Sequence, residues 1–113
     1  MENEFVLGGI INKFSLQFEL GWKLLKELLA HEGRSEAASG SPREILKTAF
    51  VLYDFLDEEV WLTMLRDRNN TNRIYDGTQA RRLVGSILET YLPAFQALRD
   101  RLAQRYAGQL DAL

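Results

Sequence analysis

Apolar residues recur every three or four positions through the first quarter of the chain, the spacing of an amphipathic helix. One stripe consists of Ile11, Phe14, Phe18, Trp22, Leu25 and Leu29. A second stripe widens the apolar arc beyond one face and consists of Val6, Ile10, Gly21, Leu24 and Leu28. The pattern predicts a helix from about Glu4 to Ala30 that its neighbours contact on more than one flank.

Turn and capping residues divide the next part of the chain into helices. Glu32-Gly33 is predicted to end the first helix, because glycine is common just past a helix terminus. Ser41-Pro42-Arg43-Glu44 combines an N-cap serine, a proline suited to the first helical position and a glutamate that can close a capping box. It predicts a second helix that stops near Phe55. Asp57-Glu58-Glu59 places acids at the positive end of a third helix.

Asp76 or Thr78 is predicted to cap the last helix. Pro93 lacks a backbone N–H, which predicts a kink or local break between Tyr91 and Pro93. The apolar residues of this helix alternate four and three apart, as in the seam of a bundle. They are Val84, Leu88, Tyr91, Phe95, Leu98 and Leu102. Helices joined by short loops, without a period-two run, predict an all-α, antiparallel, up-and-down bundle of the four-helix type.

Composition limits the classes of function. The 113 residues have the length of one domain, which is predicted to span residues 1–113. The net charge of −2 means that the molecule as a whole has no excess of positive charge with which to attract nucleic acid or a membrane surface. There is no cysteine and one histidine, His31, so thiolate and histidine-pair metal sites are excluded. No cofactor or metal is expected. The start, Met-Glu-Asn-Glu, is unlike a signal peptide and no apolar run has membrane-spanning length, which predicts a cytoplasmic protein.

A dense polar run lies between the third and last helices, from Arg66 to Asp76. It holds three arginines, two aspartates, three asparagines and a tyrosine. Two interpretations of the arginines in this run stay open. They are either helix-end charges paired with Asp67 and Asp76, or an anion site for a nucleotide or RNA phosphate, to which Arg81 and Arg82 add positive charge. The candidate substrate- or partner-binding residues in this run are Arg66, Arg68, Asn69, Asn70, Asn72, Arg73 and Tyr75.

Glu19, Lys23 and Lys26 share one face of the first helix at i, i+4 and i+7. Such a set is most often a solvated face with salt bridges. The alternative places Glu19 and Lys26 on the rim of the partner or ligand site.

Five segments carry a resemblance to a known family, and they occur in one order. They are Phe18-Glu19-Leu20-Gly21-Trp22-Lys23-Leu24-Leu25-Lys26, Ser41-Pro42-Arg43-Glu44, Asp57-Glu58-Glu59-Val60-Trp61, Asp67-Arg68-Asn69-Asn70-Thr71 and Tyr75-Asp76. Over about residues 4–98 the chain resembles the nucleotidyltransferase substrate-binding protein family, a HepT-like branch of the HEPN superfamily. The resemblance implies a helical bundle that pairs as a homodimer and has a minimal nucleotidyltransferase as its partner.

Some relatives are ribonuclease toxins that the partner silences by nucleotidylating a tyrosine. Their motif is Arg, four residues, His, one residue, Tyr, which falls here on Arg68, Arg73 and Tyr75. Arginine stays protonated and has no acceptor atom, so Arg73 cannot take the proton that RNA hydrolysis through a 2′-hydroxyl releases. Arg68 retains the positive charge of the motif arginine, and Tyr75 retains the hydroxyl that could be modified. The departure argues against ribonuclease activity.

The resemblance also implies a further helix before the Phe18 segment, which this chain is expected to lack. The second apolar stripe would then be uncovered, and a homodimer is expected to cover it.

Three functions follow. The first is an accessory partner of a nucleotidyltransferase in a two-component system, which the family implies can be toxin–antitoxin. The others are a metal-independent HEPN-type ribonuclease using Arg68, and a structural dimerisation module.

Overall fold

The computed structural model describes residues 4–34, 40–74 and 76–107. Helix α1 is Glu4–His31, α2 is Pro42–Leu52 and α3 is Glu58–Asn69. A 3₁₀ turn, Thr71–Arg73, leads to α4, Gly77–Ser86. A π-helical segment, Ile87–Tyr91, joins α4 without interruption to α5, Leu92–Arg105. The described chain is an all-α bundle, as predicted, in which α1 packs against α2, α3 and α4.

The predicted helix starts are confirmed by side-chain caps. Ser41 Oγ accepts the N–H of Glu44 at 3.3 Å and donates to that residue's carboxylate at 3.0 Å. Asp57 accepts the N–H of Val60 at 3.2 Å. Of the two candidates for the last cap, Asp76 is used, and it accepts the N–H of Gln79 at 2.8 Å. Each cap satisfies a backbone donor that a helix start leaves without a partner.

The predicted end of α2 near Phe55 is wrong, because the helix ends at Leu52. Tyr53 has extended backbone (φ −113°, ψ 94°) and a fully buried ring. The Tyr53 hydroxyl lies 2.6 Å from the Tyr106 hydroxyl. The Tyr106 hydroxyl in turn donates a hydrogen bond to the Glu32 carboxylate at 2.8 Å. Burial raises the pKa of Tyr53. These contacts join the C-terminal ends of α1, α2 and α5, and they explain why the chain leaves the helix at Tyr53.

A helix irregularity is present, but it lies before the predicted position between Tyr91 and Pro93: the π-helical segment covers Ile87–Tyr91, and the chain is α-helical from Leu92 onward. A π turn holds one residue more than an α turn, so it shifts the inward face by one position. Ile87 and Tyr91 therefore point into the core, whereas Leu88, which the seam placed in the core, is 53% exposed. The prediction for Leu88 is wrong because an unbroken α-helical period was assumed.

The core is apolar and aromatic. The rings of Phe14 and Tyr91 stack at 5.2 Å, and Trp61 packs edge-on to Phe95 at 5.7 Å. The first apolar stripe of α1 is buried throughout, as predicted. The second stripe is only partly covered: Gly21 is buried, but Leu24 is 44% exposed and Val6 57% exposed.

Candidate functional site

The polar run folds as the end of α3, the 3₁₀ turn and the start of α4. The N–H of Asn70 lies 3.1 Å from the carbonyl of Arg66 and so closes the last turn of α3. The hydroxyl of Thr71 donates to the carbonyl of Arg68 at 3.0 Å, and the N–H of Arg73 donates to that of Asn70 at 2.9 Å. The run is therefore an ordered connection that presents its side chains on two sides of α3.

On one side of α3, Arg68 is bound to α1. Its Nη1 donates to the Glu19 carboxylate at 3.0 Å, and its guanidinium lies over the Phe18 ring, 5.4 Å from the centroid. The Arg68 side chain is 25% exposed and that of Glu19 32% exposed. Arg68 Nε is buried and has no hydrogen-bond partner in the part of the chain that is described. This contact, the Glu19–Arg68 pair, joins residues 49 positions apart.

The Glu19 carboxylate collects three donors. It accepts from the Trp22 indole at 3.1 Å and from Arg68, and Lys23 lies 3.4 Å away. The Trp22 hydrogen bond contributes most to lowering the pKa of Glu19, and the charges of Arg68 and Lys23 lower it further. Glu19 is thus an ionised anchor for Arg68, and the salt-bridged face predicted for α1 is present at Glu19 and Lys23. The placement of Glu19 and Lys26 on the rim of a partner or ligand site stays a prediction.

On the other side of α3, Asp67 is held between two donors. The Tyr91 hydroxyl donates to Asp67 Oδ2, and Arg66 Nη2 lies 3.4 Å from Asp67 Oδ1. Burial raises the pKa of Tyr91, and the bonded Asp67 carboxylate raises it further, so the phenol stays neutral. The π-helical segment sets the rotation of Tyr91 that makes this bond.

A cleft of about 230 Å³ opens beside Asp67 between α3 and α4. We call it the α3–α4 cleft. Its polar lining residues are Arg66, Asp67, Asn70, Gln79, Arg82 and Ser86. Gln79, Arg82 and Ser86 share a face of α4 at i, i+3 and i+7. That spacing was the available signal for Gln79 and Ser86, which sequence reasoning missed. The cleft therefore brings two guanidinium groups and two amides to one opening.

The remaining predicted site residues are more dispersed. Asn69, Asn72 and Arg73 are exposed around the turn, and Tyr75 lies outside the described residues. Lys26 lies seven residues beyond Glu19 on α1, about 10 Å along the helix at 1.5 Å per residue. The structure thus unites Arg66 with Asn70, and Arg68 with Glu19, on opposite sides of α3.

The chemistry available at this edge is anion binding. Arginine donates in a planar fork that matches phosphate oxygens, and it has no acceptor atom. The described residues contain no group of three or more His, Asp or Glu side chains arranged to hold a metal ion. None of the helices in the described ranges has the length and apolarity to cross a bilayer.

Comparisons with known proteins identify the family to which the chain belongs. A search of curated proteins gives no match. Residues 1–104, nearly the whole chain, match the family model described as nucleotidyltransferase substrate binding protein like. The chain belongs to this nucleotidyltransferase substrate-binding family.

Proposed function

We propose that this bundle is the accessory, substrate-binding partner of a minimal nucleotidyltransferase, without catalysis of its own. The observation that carries the proposal is the family match over residues 1–104. The arrangement suits a two-component system, in the HepT-like branch of the HEPN superfamily, in which one chain supplies the transfer chemistry and the other presents the acceptor or substrate. A toxin–antitoxin pair is one form of that system.

The face presented to the nucleotidyltransferase is the edge from Arg66 to Asp76, with the α3–α4 cleft as its anion site. Arg66 and Arg82 supply two positive charges to the cleft, against the single negative charge of Asp67. Both carboxylate oxygens of Asp67 already accept bonds, from Arg66 and Tyr91. A phosphate of a nucleotide or RNA therefore meets available N–H donors at the mouth, and its affinity should fall as salt screens them.

Arg68 has a different role in this proposal, because Glu19 already occupies its guanidinium. It positions the end of α3 rather than binding phosphate directly. Arg73, which stands where the ribonuclease motif has histidine, is exposed on the turn and cannot accept a proton. The edge therefore binds and presents a group without cleaving RNA.

The bundle is also proposed to work as a homodimer. Support comes from α1, on which Leu16, Leu20 and Leu24 are 59%, 61% and 44% exposed in the single chain. Contiguous apolar surface of this kind usually marks an interaction site.

Co-purification with the nucleotidyltransferase encoded beside this chain tests the proposal. We expect a stable complex whose nucleotide affinity, measured by ATP titration, falls at least tenfold in the double variant Arg66→Ala/Arg82→Ala. Arg43→Ala, which removes an exposed arginine from α2, is the matched control and should leave that affinity unchanged. Failure of the two proteins to associate, or metal-independent RNA cleavage by the wild type that Arg68→Ala abolishes, would overturn the proposal.

A further inference from the structure

The exposed apolar stripe of α1, formed by Leu16, Leu20 and Leu24, is arranged symmetrically along the helix about Leu20. Leu16 and Leu24 each lie four residues from Leu20, and Lys13 and Glu27 each lie seven residues from it. At 3.6 residues per turn, all five positions fall within a narrow arc opposite the buried face of α1. The stripe therefore reads lysine, three leucines, glutamate, with Leu20 at its centre.

All five side chains of the stripe are exposed in the single chain. Lys13 and Glu27 make no ion pair with any residue in the described ranges. Both ends of the stripe thus carry a charge that is available for a partner, and the charges have opposite sign.

A groove of about 670 Å³ runs along one side of the stripe, between α1 and α5. It shares Leu20 and Leu24 with the stripe and adds apolar walls from both helices. The residues that supply those walls are Leu28, Leu92, Phe95 and Leu102. A helix laid on the stripe can therefore place leucine side chains in the groove as well as against the ridge.

We propose that the occupant is a second copy of α1, packed antiparallel about a two-fold axis that passes beside Leu20. The proposal rests on the homodimer of the proposed function and names its interface. In this register Leu16 of one copy faces Leu24 of the other, and Lys13 faces Glu27 at both ends. A two-fold interface must be self-complementary, and the positions of the leucines and of the two opposite charges in this stripe meet that condition.

The alternative arrangements fit the stripe less well. A parallel pair sets Lys13 against its own copy and Glu27 against its own copy, which is repulsive at both ends. An unrelated apolar helix gives no reason for opposite charges at equal distances from Leu20. The charge pattern therefore favours a second copy of this chain in antiparallel orientation.

Because the chain has no cysteine, introduced thiols report the register directly. A disulfide needs Cα atoms within about 7 Å, and residues eight positions apart on a helix are separated by about 12 Å. Leu20→Cys should form a covalent dimer under mild oxidation, whereas Leu16→Cys alone should not. The double variant Leu16→Cys/Leu24→Cys should cross-link again, because the two positions face each other. Val51→Cys, at a 75% exposed position of α2, is the control and should stay uncrosslinked.

Charge reversal gives a second, non-covalent test by light scattering. Lys13→Glu and Glu27→Lys should each weaken the dimer at least threefold, and the double variant should restore it. Lys47→Glu with Glu59→Lys, both on exposed positions of other helices, is the matched control.

A dimer unaffected by the stripe variants, or Leu16→Cys cross-linking as readily as Leu20→Cys, would overturn this interface while leaving the homodimer intact. A monomeric wild type would overturn the homodimer itself, and neither result bears on binding of the nucleotidyltransferase.

Discussion

Replacing Arg68 with methionine removes the cation that ties α3 to α1 but keeps most of the side-chain stem that packs beside Phe18. The lost interactions are the charged hydrogen bond to Glu19 at 3.0 Å and the contact with the Phe18 ring at 5.4 Å. A hydrogen bond to a charged group contributes about 1.5–3 kcal/mol, and a partly exposed cation–π contact adds about 0.5–1 kcal/mol.

Two effects reduce that sum. The buried Nε of Arg68 has no partner among the described residues, and methionine removes its desolvation cost of about 1–3 kcal/mol. The remaining exposure of both side chains weakens the Coulomb attraction. We therefore expect Arg68→Met to lower the free energy of unfolding by about 1 kcal/mol, which corresponds to about 4 °C in Tm for a domain of this size.

The assay is guanidinium chloride unfolding of the wild type, Arg68→Met, Glu19→Gln and the double variant. The double-mutant cycle should give a favourable coupling energy of about 1 kcal/mol between the two residues. Lys23→Met, which removes the more exposed contact of Glu19, is the control and should show a smaller coupling with Glu19→Gln. Zero coupling between residues 19 and 68 would refute the assignment of Arg68 as an anchored, positioning side chain.

The remaining predictions concern pH, the tyrosine contacts and packing. The folded-state pKa of Glu19 lies below the unfolded value, chiefly because of the Trp22 hydrogen bond. Its contribution to stability is therefore fully present above the unfolded pKa and is lost as the pH falls through the folded-state pKa. Acid unfolding of Glu19→Gln should therefore lack this component. Tyr106→Phe should cost about 1 kcal/mol in thermal unfolding, because the Glu32 carboxylate and the buried Tyr53 hydroxyl both lose a partner. Gly21→Ala should stabilise by up to about 1 kcal/mol, since its added methyl would lie 3.7 Å from Trp61 in ordinary contact. A destabilised Gly21→Ala variant would contradict that packing.

The starts of the helices were predictable because their signals are local. Ser41, Asp57 and Asp76 each cap a backbone N–H three residues ahead, so the chemistry is contained in a few neighbouring positions. The end of α2 was not predictable in this way. It depends on Tyr53 meeting Tyr106, a contact between residues 53 positions apart that no local pattern contains.

The candidate site was predicted in part for the same reason. The polar run and its arginines were visible in the sequence, but the direction of each side chain depends on long-range contacts. Arg68 turns toward Glu19 on α1, whereas Arg66 turns toward the α3–α4 cleft. The π-helical segment orients Tyr91 toward Asp67 and rotates the inward face of the helix in a way that a 3.6-residue period does not describe.

In the proposed function, this chain is the binding half of a nucleotidyltransferase pair. The most direct measurement is sedimentation of the purified bundle with the purified nucleotidyltransferase encoded beside it, over a concentration series. We expect a complex that forms at micromolar concentration and whose nucleotide affinity is lowered by Arg66→Ala/Arg82→Ala but not by Arg43→Ala. Two proteins that sediment independently throughout the series would contradict it.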